Sequence, residues 1–112
     1  MLAITFGMNA QLNENATSFK SLCETDTDCS YKKIRTFAVN EWNTDHEMVV
    51  YCINKQCNAL DKLADIINSK NYDQEIVLSA MEEWESVING ITCYDWSMVV
   101  YTYNKQIKNK DY

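Results

Sequence analysis

Five cysteines stand at positions 23, 29, 52, 57 and 93 of a 112-residue chain. Their spacing decides which chemistry they could do. Zinc is disfavoured, because five residues separate Cys23 from Cys29 and four separate Cys52 from Cys57, so neither pair forms the short knuckle that tetrahedral thiolate sites use. No metal or other cofactor is expected. The single histidine, His46, opens a helical segment and reads as an exposed first-turn residue, not a base for a cysteine nucleophile. Asp26 and Asp28 lack the glycine and the distal glutamate of a calcium loop, so they read as capping residues. Glu82, Glu83 and Glu85 surround Trp84, but near neighbours on a helix diverge and cannot flank one glycosidic bond. The chain also has no Gly-x-Ser-x-Gly elbow. These observations predict a protein that is not an enzyme.

The chemistry left for the cysteines is cross-linking or packing. Cys23 and Cys29 flank Glu-Thr-Asp-Thr-Asp, which reads as a turn between helices, and they are the first choice for a bridge. Cys52 and Cys57 are five apart, about 140° around one helix axis, and cannot bond to each other without unwinding it. One of them, Cys57 for preference, is expected to reach Cys93. The alternative is five reduced thiols serving as small apolar core residues of a cytosolic protein.

The least random feature is a repeat. Met48-Val-Val-Tyr51-Cys-Ile-Asn-Lys55-Gln56 recurs fifty positions later as Met98-Val-Val-Tyr101-Thr-Tyr-Asn-Lys105-Gln106, with seven of nine residues identical. At a helix's 100° per residue, Val49, Cys52, Ile53, Gln56, Leu60, Leu63, Ala64 and Ile67 form one stripe. In the second copy Trp96, Val99, Val100, Tyr103 and Ile107 do the same. Tyr51 and Lys55 then face outward, as do Tyr101 and Lys105, and these four are the expected partner-binding residues. Exposed tyrosines on rigid helices are the residues that anchor protein interfaces. Val99 to Tyr103 also has strand propensity, so a strand there is the competing assignment.

Helices must carry these residues. The chain has no proline and only two glycines, which disfavours the turn-rich hairpin and sandwich folds. Five helices are expected. The first runs from about Asn13 to Cys23. The second, Ser30 to Trp42, has Tyr31, Ile34, Phe37, Ala38, Glu41 and Trp42 inward and Lys32, Lys33 and Arg35 in solvent. The third, to about Ser69, starts at a Thr44-x-x-Glu47 capping box. The fourth, capped by Asn71 or Asp73, carries Val77, Ala80, Met81, Trp84, Val87 and Ile88 and ends at Asn89-Gly90, the glycine supplying a C-terminal cap. The fifth carries the second repeat copy. The fold class is therefore all-α, a compact bundle of about five helices stapled by one or two disulfides. Residues 1–10 form a leader-like or apolar N-terminal arm, and residues 11–112 a single domain.

The formal net charge of −6 disfavours nucleic-acid binding, which depends on basic side chains neutralising phosphates. No run approaches the roughly 20 apolar residues of a membrane span. The apolar first ten residues, with Ala10 as a cleavage position, look like the tail of a signal peptide and favour a periplasmic or secreted location over a cytoplasmic one. Asn15-Ala16-Thr17 fits a glycosylation sequon, relevant only in a eukaryotic secretory pathway.

A Cys-x5-Cys joining two helices, here Cys23 to Cys29, resembles the periplasmic domain of the lysis-inhibition antiholins of T-even-like phages. Cys93-Tyr-Asp-Trp-Ser-Met and Val-Val-Tyr-Cys52 are similar to stretches of the superinfection-exclusion proteins of the same phages, small periplasmic inhibitors of a tail lysozyme. The chain departs from both in its extra cysteines and in lacking a complete leader, and it is longer than the soluble antiholin domain. The resemblance implies a non-enzymatic inhibitor that binds one protein partner outside the cytoplasm. Its rivals are an acidic cytosolic inhibitor of a host defence or nucleic-acid-binding protein, and a homo-oligomer.

Overall fold

The computed structural model describes residues 10–24 and 30–110. Among them the chain forms five helices and one two-stranded sheet: α1 (Glu14–Leu22), α2 (Ser30–Trp42), α3 (His46–Ile67), α4 (Gln74–Glu83), β1 (Glu85–Ile88), β2 (Ile91–Tyr94) and α5 (Trp96–Lys110). The expected caps of α2 at Asp26–Asp28 lie outside the described residues, as does Cys29.

Short polar side chains start the helices by closing first-turn amides. The Asn13 carboxamide oxygen accepts from Ala16 N–H at 2.9 Å to open α1. Asp73 accepts from Ile76 N–H at 3.2 Å to open α4. Asp95 accepts from Met98 N–H at 3.3 Å at the head of α5. At α3 the cap is Asp45, which accepts from Met48 N–H at 3.2 Å, and not the expected Thr44. The preceding helix explains the shift. It ends at Trp42, Asn43 turns to φ 53° and donates its N–H to Val39 O, and Asp45 N–H reaches back to Trp42 O, so Thr44 is taken up in the turn and the link is one residue longer than a Thr44 cap would leave it.

The all-α expectation holds for five elements and fails at one. Residues 85–94 are an antiparallel hairpin, in the register Glu85 to Tyr94, Ser86 to Cys93, Val87 to Thr92 and Ile88 to Ile91. Its turn is Asn89-Gly90, with φ of 52° and 79°. Positive φ at both central residues is the type I′ geometry, whose twist matches that of the flanking strands. The expected fourth helix therefore stops at Glu83, and Asn-Gly ends a strand instead of a helix. The expected fifth helix is present, and Val99 to Tyr103, where a strand was the competing assignment, lie within it.

Two apolar clusters make the core. The first gathers Ala16, Ile34, Phe37, Ala38, Val49, Cys52, Ile53, Cys57 and Cys93 from α1, α2, α3 and β2. The second gathers Ala59, Leu63, Val77, Val100 and Tyr103 from α3, α4 and α5. Leu60 and Trp96 pack against both and join them. Each fully buried Val or Ile of this kind contributes about 1.5–3 kcal/mol. α3 belongs to both clusters, which accounts for its length. Past Leu63 its buried seam runs on through Ile66, which packs against the second cluster, so the expected inward residues Ala64 and Ile67 are exposed. Glu41 and Trp42, also expected inward, are exposed in the last turn of α2.

Candidate interaction surface

The first six residues of the two copies have the same inside and the same outside. Val49, Val50, Cys52 and Ile53 are buried, and so are Val99, Val100, Thr102 and Tyr103. Tyr51 and Tyr101 are each 58% exposed, and Lys55 and Lys105 are exposed beside them. An aromatic side chain held outward by a buried helix face cannot retreat into the core without turning the helix.

The copies do not share the same neighbours. Gln56 is 2% exposed. Its Nε2 donates to Asp95 Oδ1 at 2.9 Å, and its Oε1 accepts from Trp96 N–H at 2.5 Å. Asp95 Oδ1 also accepts from Ser97 Oγ at 2.8 Å. Gln56 thus ties the middle of α3 to the head of α5. Gln106 is exposed. Asn54 clamps the incoming chain: its Oδ1 accepts from Asn13 N–H at 2.8 Å and its Nδ2 donates to Gln11 O at 2.9 Å. Asn58 Oδ1 accepts from Asn13 Nδ2 and Asn15 Nδ2, both at 3.0 Å. The Asn15 of the sequon is therefore engaged in the fold.

Contacts advance in the same direction along the helices that carry the repeat: Gln56 meets the head of α5, and Ala59 and Leu63 share a cluster with Val100 and Tyr103. Gln56 meets Trp96, forty residues on, while the motifs recur fifty residues apart. The copies are therefore staggered by ten residues, about 15 Å along the axes at 1.5 Å per residue. A shallow groove runs between α3 and α5. Lys55 and Ser97 line both of its sections, one continuing to Asn58, Ala59, Lys62 and Val100, the other to Tyr51, Trp42, Glu41 and Phe37. Tyr51, one turn from Lys55, lines the groove, whereas Tyr101, one turn beyond Ser97, is not among its lining residues. The section beside Tyr51 encloses about 160 Å³, less than the roughly 300 Å³ at which small-molecule pockets begin. It suits a protein side chain better than a metabolite. Trp42, 43% exposed, joins this surface and escaped the sequence reading because its helical phase pointed inward.

The bridge expected from α3 to Cys93 is absent: Cys52, Cys57 and Cys93 are buried thiols. Burial and the nearby Asp95 and Glu41 carboxylates push the Cys52 thiol up to about 11. Burial, with Cys23 nearby, pushes Cys57 up to about 12. Burial also raises Cys93. Such thiols stay protonated and are poor nucleophiles. The expected bridge from Cys23 to Cys29 involves a residue outside those described.

Among the described residues no group of three or more His, Cys, Asp or Glu side chains could hold a metal ion. His46 is exposed as the first residue of α3. Glu82 and Glu83 are exposed at the end of α4, and Glu85 lies on β1. No described helix is long and apolar enough to cross a membrane. No family model matches the chain, and neither a curated protein nor a solved structure is significantly similar to it.

Proposed function

We propose that the protein is a non-enzymatic domain that binds one protein partner through the groove between α3 and α5, with Tyr51, Lys55, Tyr101 and Lys105 as its contacts. The observation that carries this reading is the matched 58% exposure of Tyr51 and Tyr101, each standing on a helix whose opposite face is core. Tyrosine offers a large amphipathic surface at low rotamer cost. In keeping with the phage resemblance, the domain acts as an exported inhibitor of the antiholin or superinfection-exclusion kind.

The unbridged thiols favour a second reading for the compartment alone. Small exported domains are usually stapled by disulfides, whereas Cys52, Cys57 and Cys93 behave as apolar core residues of a protein kept in a reducing environment. This is the acidic cytosolic inhibitor.

The test is capture of the partner from the native host by exported and cytosolic forms in parallel, with Tyr51→Ala and Tyr101→Ala beside the parent. Each substitution should leave the circular dichroism and the unfolding midpoint almost unchanged. Each should weaken partner binding by about 1–2 kcal/mol or more if it is a hot spot. Undiminished binding by a folded double variant refutes the assignment.

A further inference from the structure

We infer that the cleft between α2 and the tip of the β-hairpin is a binding site for an oxyanion, carboxylate or phosphate, with Arg35 as its anchoring fork. The cleft encloses about 470 Å³, within the usual range for small-ligand sites. Arg35, Thr36, Val39, Asn40 and Asn43 line one wall, and Ile88 and Asn89 the other. The first four follow helical spacing along one face of α2, and Asn43 lies just past its end.

Three observations give the ligand its chemistry. The chain carries sixteen acidic residues, yet none lines this cleft. The cleft does hold Arg35, which is the sole arginine of the sequence. A guanidinium presents paired N–H donors whose geometry matches the two oxygens of a carboxylate or phosphate. Finally, the polar side chains lining it are not engaged in the fold. Among the described residues Arg35, Thr36, Asn40, Asn43 and Asn89 make no side-chain hydrogen bond or ion pair. Asn13, Asn15, Asn54 and Asn58, by contrast, are all bonded to one another or to the chain.

Charge orients the ligand within the cleft. The carbonyl end of α2 lies toward Asn43 and repels an anion there, within the reach of the last turn. The anionic group therefore sits toward Arg35 and the Thr36 hydroxyl. The carboxamides of Asn40, Asn43 and Asn89, which both donate and accept, bind the uncharged remainder of the ligand. Val39 and Ile88, both half-buried, supply the apolar part of the lining. The net charge of −6 opposes any free anion, so affinity for the bare ion is weak and depends on direct contact.

A single arginine gives a single Nε–H resonance, which makes the test direct. Proton–nitrogen correlation spectra are followed during titration with inorganic phosphate, with acetate and with sodium chloride at matched ionic strength. Phosphate or acetate should shift the Arg35 Nε–H and the amides of Thr36, Asn40 and Asn89 along a saturating curve. The anion that saturates at the lower concentration names the source. Arg35→Gln should weaken that binding at least tenfold with the rest of the spectrum unchanged. Should that variant disturb the fold, Asn89→Gly, which suits the positive φ of the turn, should weaken it severalfold. Equal shifts with chloride, shifts without saturation, or an unchanged titration of the variant overturn the site.

Discussion

The sharpest test of the fold is to make the same substitution at the two ends of the repeat. Gln56 and Gln106 occupy equivalent positions, but one is 2% exposed and the other lies in solvent. Gln56→Leu keeps the side-chain volume roughly constant, so packing changes little. It removes a hydrogen bond to the Asp95 carboxylate, a class of bond contributing about 1.5–3 kcal/mol. It also leaves Trp96 N–H without its 2.5 Å acceptor, a further cost of about 1–3 kcal/mol for a buried donor. Burying more apolar surface offsets some of this, and a net loss of about 3–4 kcal/mol remains. That is a large fraction of a typical domain stability of about 5–15 kcal/mol. Gln106→Leu breaks nothing and should stay within about 0.5 kcal/mol of the parent. Urea unfolding measures both: with a slope of about 1.5 kcal/mol/M, the Gln56 variant should unfold about 2 M earlier at unchanged slope. A loss below about 1 kcal/mol at Gln56, or equal losses at both sites, would refute the junction between α3 and α5.

Three further outcomes follow from the geometry. Gly90→Ala meets no atom within 4 Å but must hold φ 79°, so it should cost about 1–2 kcal/mol, read as a lowered unfolding midpoint with the hairpin retained. The buried thiols set an alkaline limit: Cys52 and Cys57 titrate near 11 and 12 in the fold against 9.0 ordinarily. The unfolded chain thus loses their protons first, and their contribution, complete below pH 9, disappears as pH rises toward 12; the Cys52→Ala, Cys57→Ala pair should flatten that decline in urea-midpoint measurements across the range. Hydrogen bonding to Lys110 holds the Asp73 carboxyl below its usual value, so Lys110→Ala should raise it, as a carbon-13 titration of the carboxyl would report, and the associated stability is lost only as pH falls through the lowered value.

Much of α3 and α5 was legible because periodicity is a direct consequence of burial. The phase of the stripe through Val49, Cys52, Ile53 and Gln56 placed Tyr51 outside, and the same phase placed Tyr101 outside. Where a helix ends relative to the core is not periodic information, so Glu41 and Trp42 were assigned inward and emerge in solvent, and in α3 the seam passes from Leu63 to Ile66, which leaves Ala64 and Ile67 outside. The hairpin was written in the sequence and misread. Asn89-Gly90 lies between Val87-Ile88 and Ile91-Thr92, β-branched residues on both sides of an Asn-Gly pair. The low glycine count argued against hairpins in general, yet one type I′ turn needs one glycine. The cysteines carried no such signal, since spacing permits a bridge without requiring one, and the Arg35 cleft joins residues some fifty apart that only the hairpin brings together.

The stagger between the repeat copies limits what kind of partner fits. Tyr51 lines the groove, and Tyr101 stands about 15 Å further along the helix pair. A short peptide seated beside Tyr51 would leave Tyr101 in water. A partner of ordinary interface size, burying about 800 Å² per side and so roughly 30 Å across, covers both tyrosines, both lysines and Trp42 together. Sites this far apart couple little, so the losses from Tyr51→Ala and Tyr101→Ala should add to within about 0.5 kcal/mol if one partner covers both. A loss confined to Tyr51 would instead place the contact in the section of the groove lined by Trp42, Glu41 and Phe37, and would leave the second copy of the repeat with its buried face alone to account for.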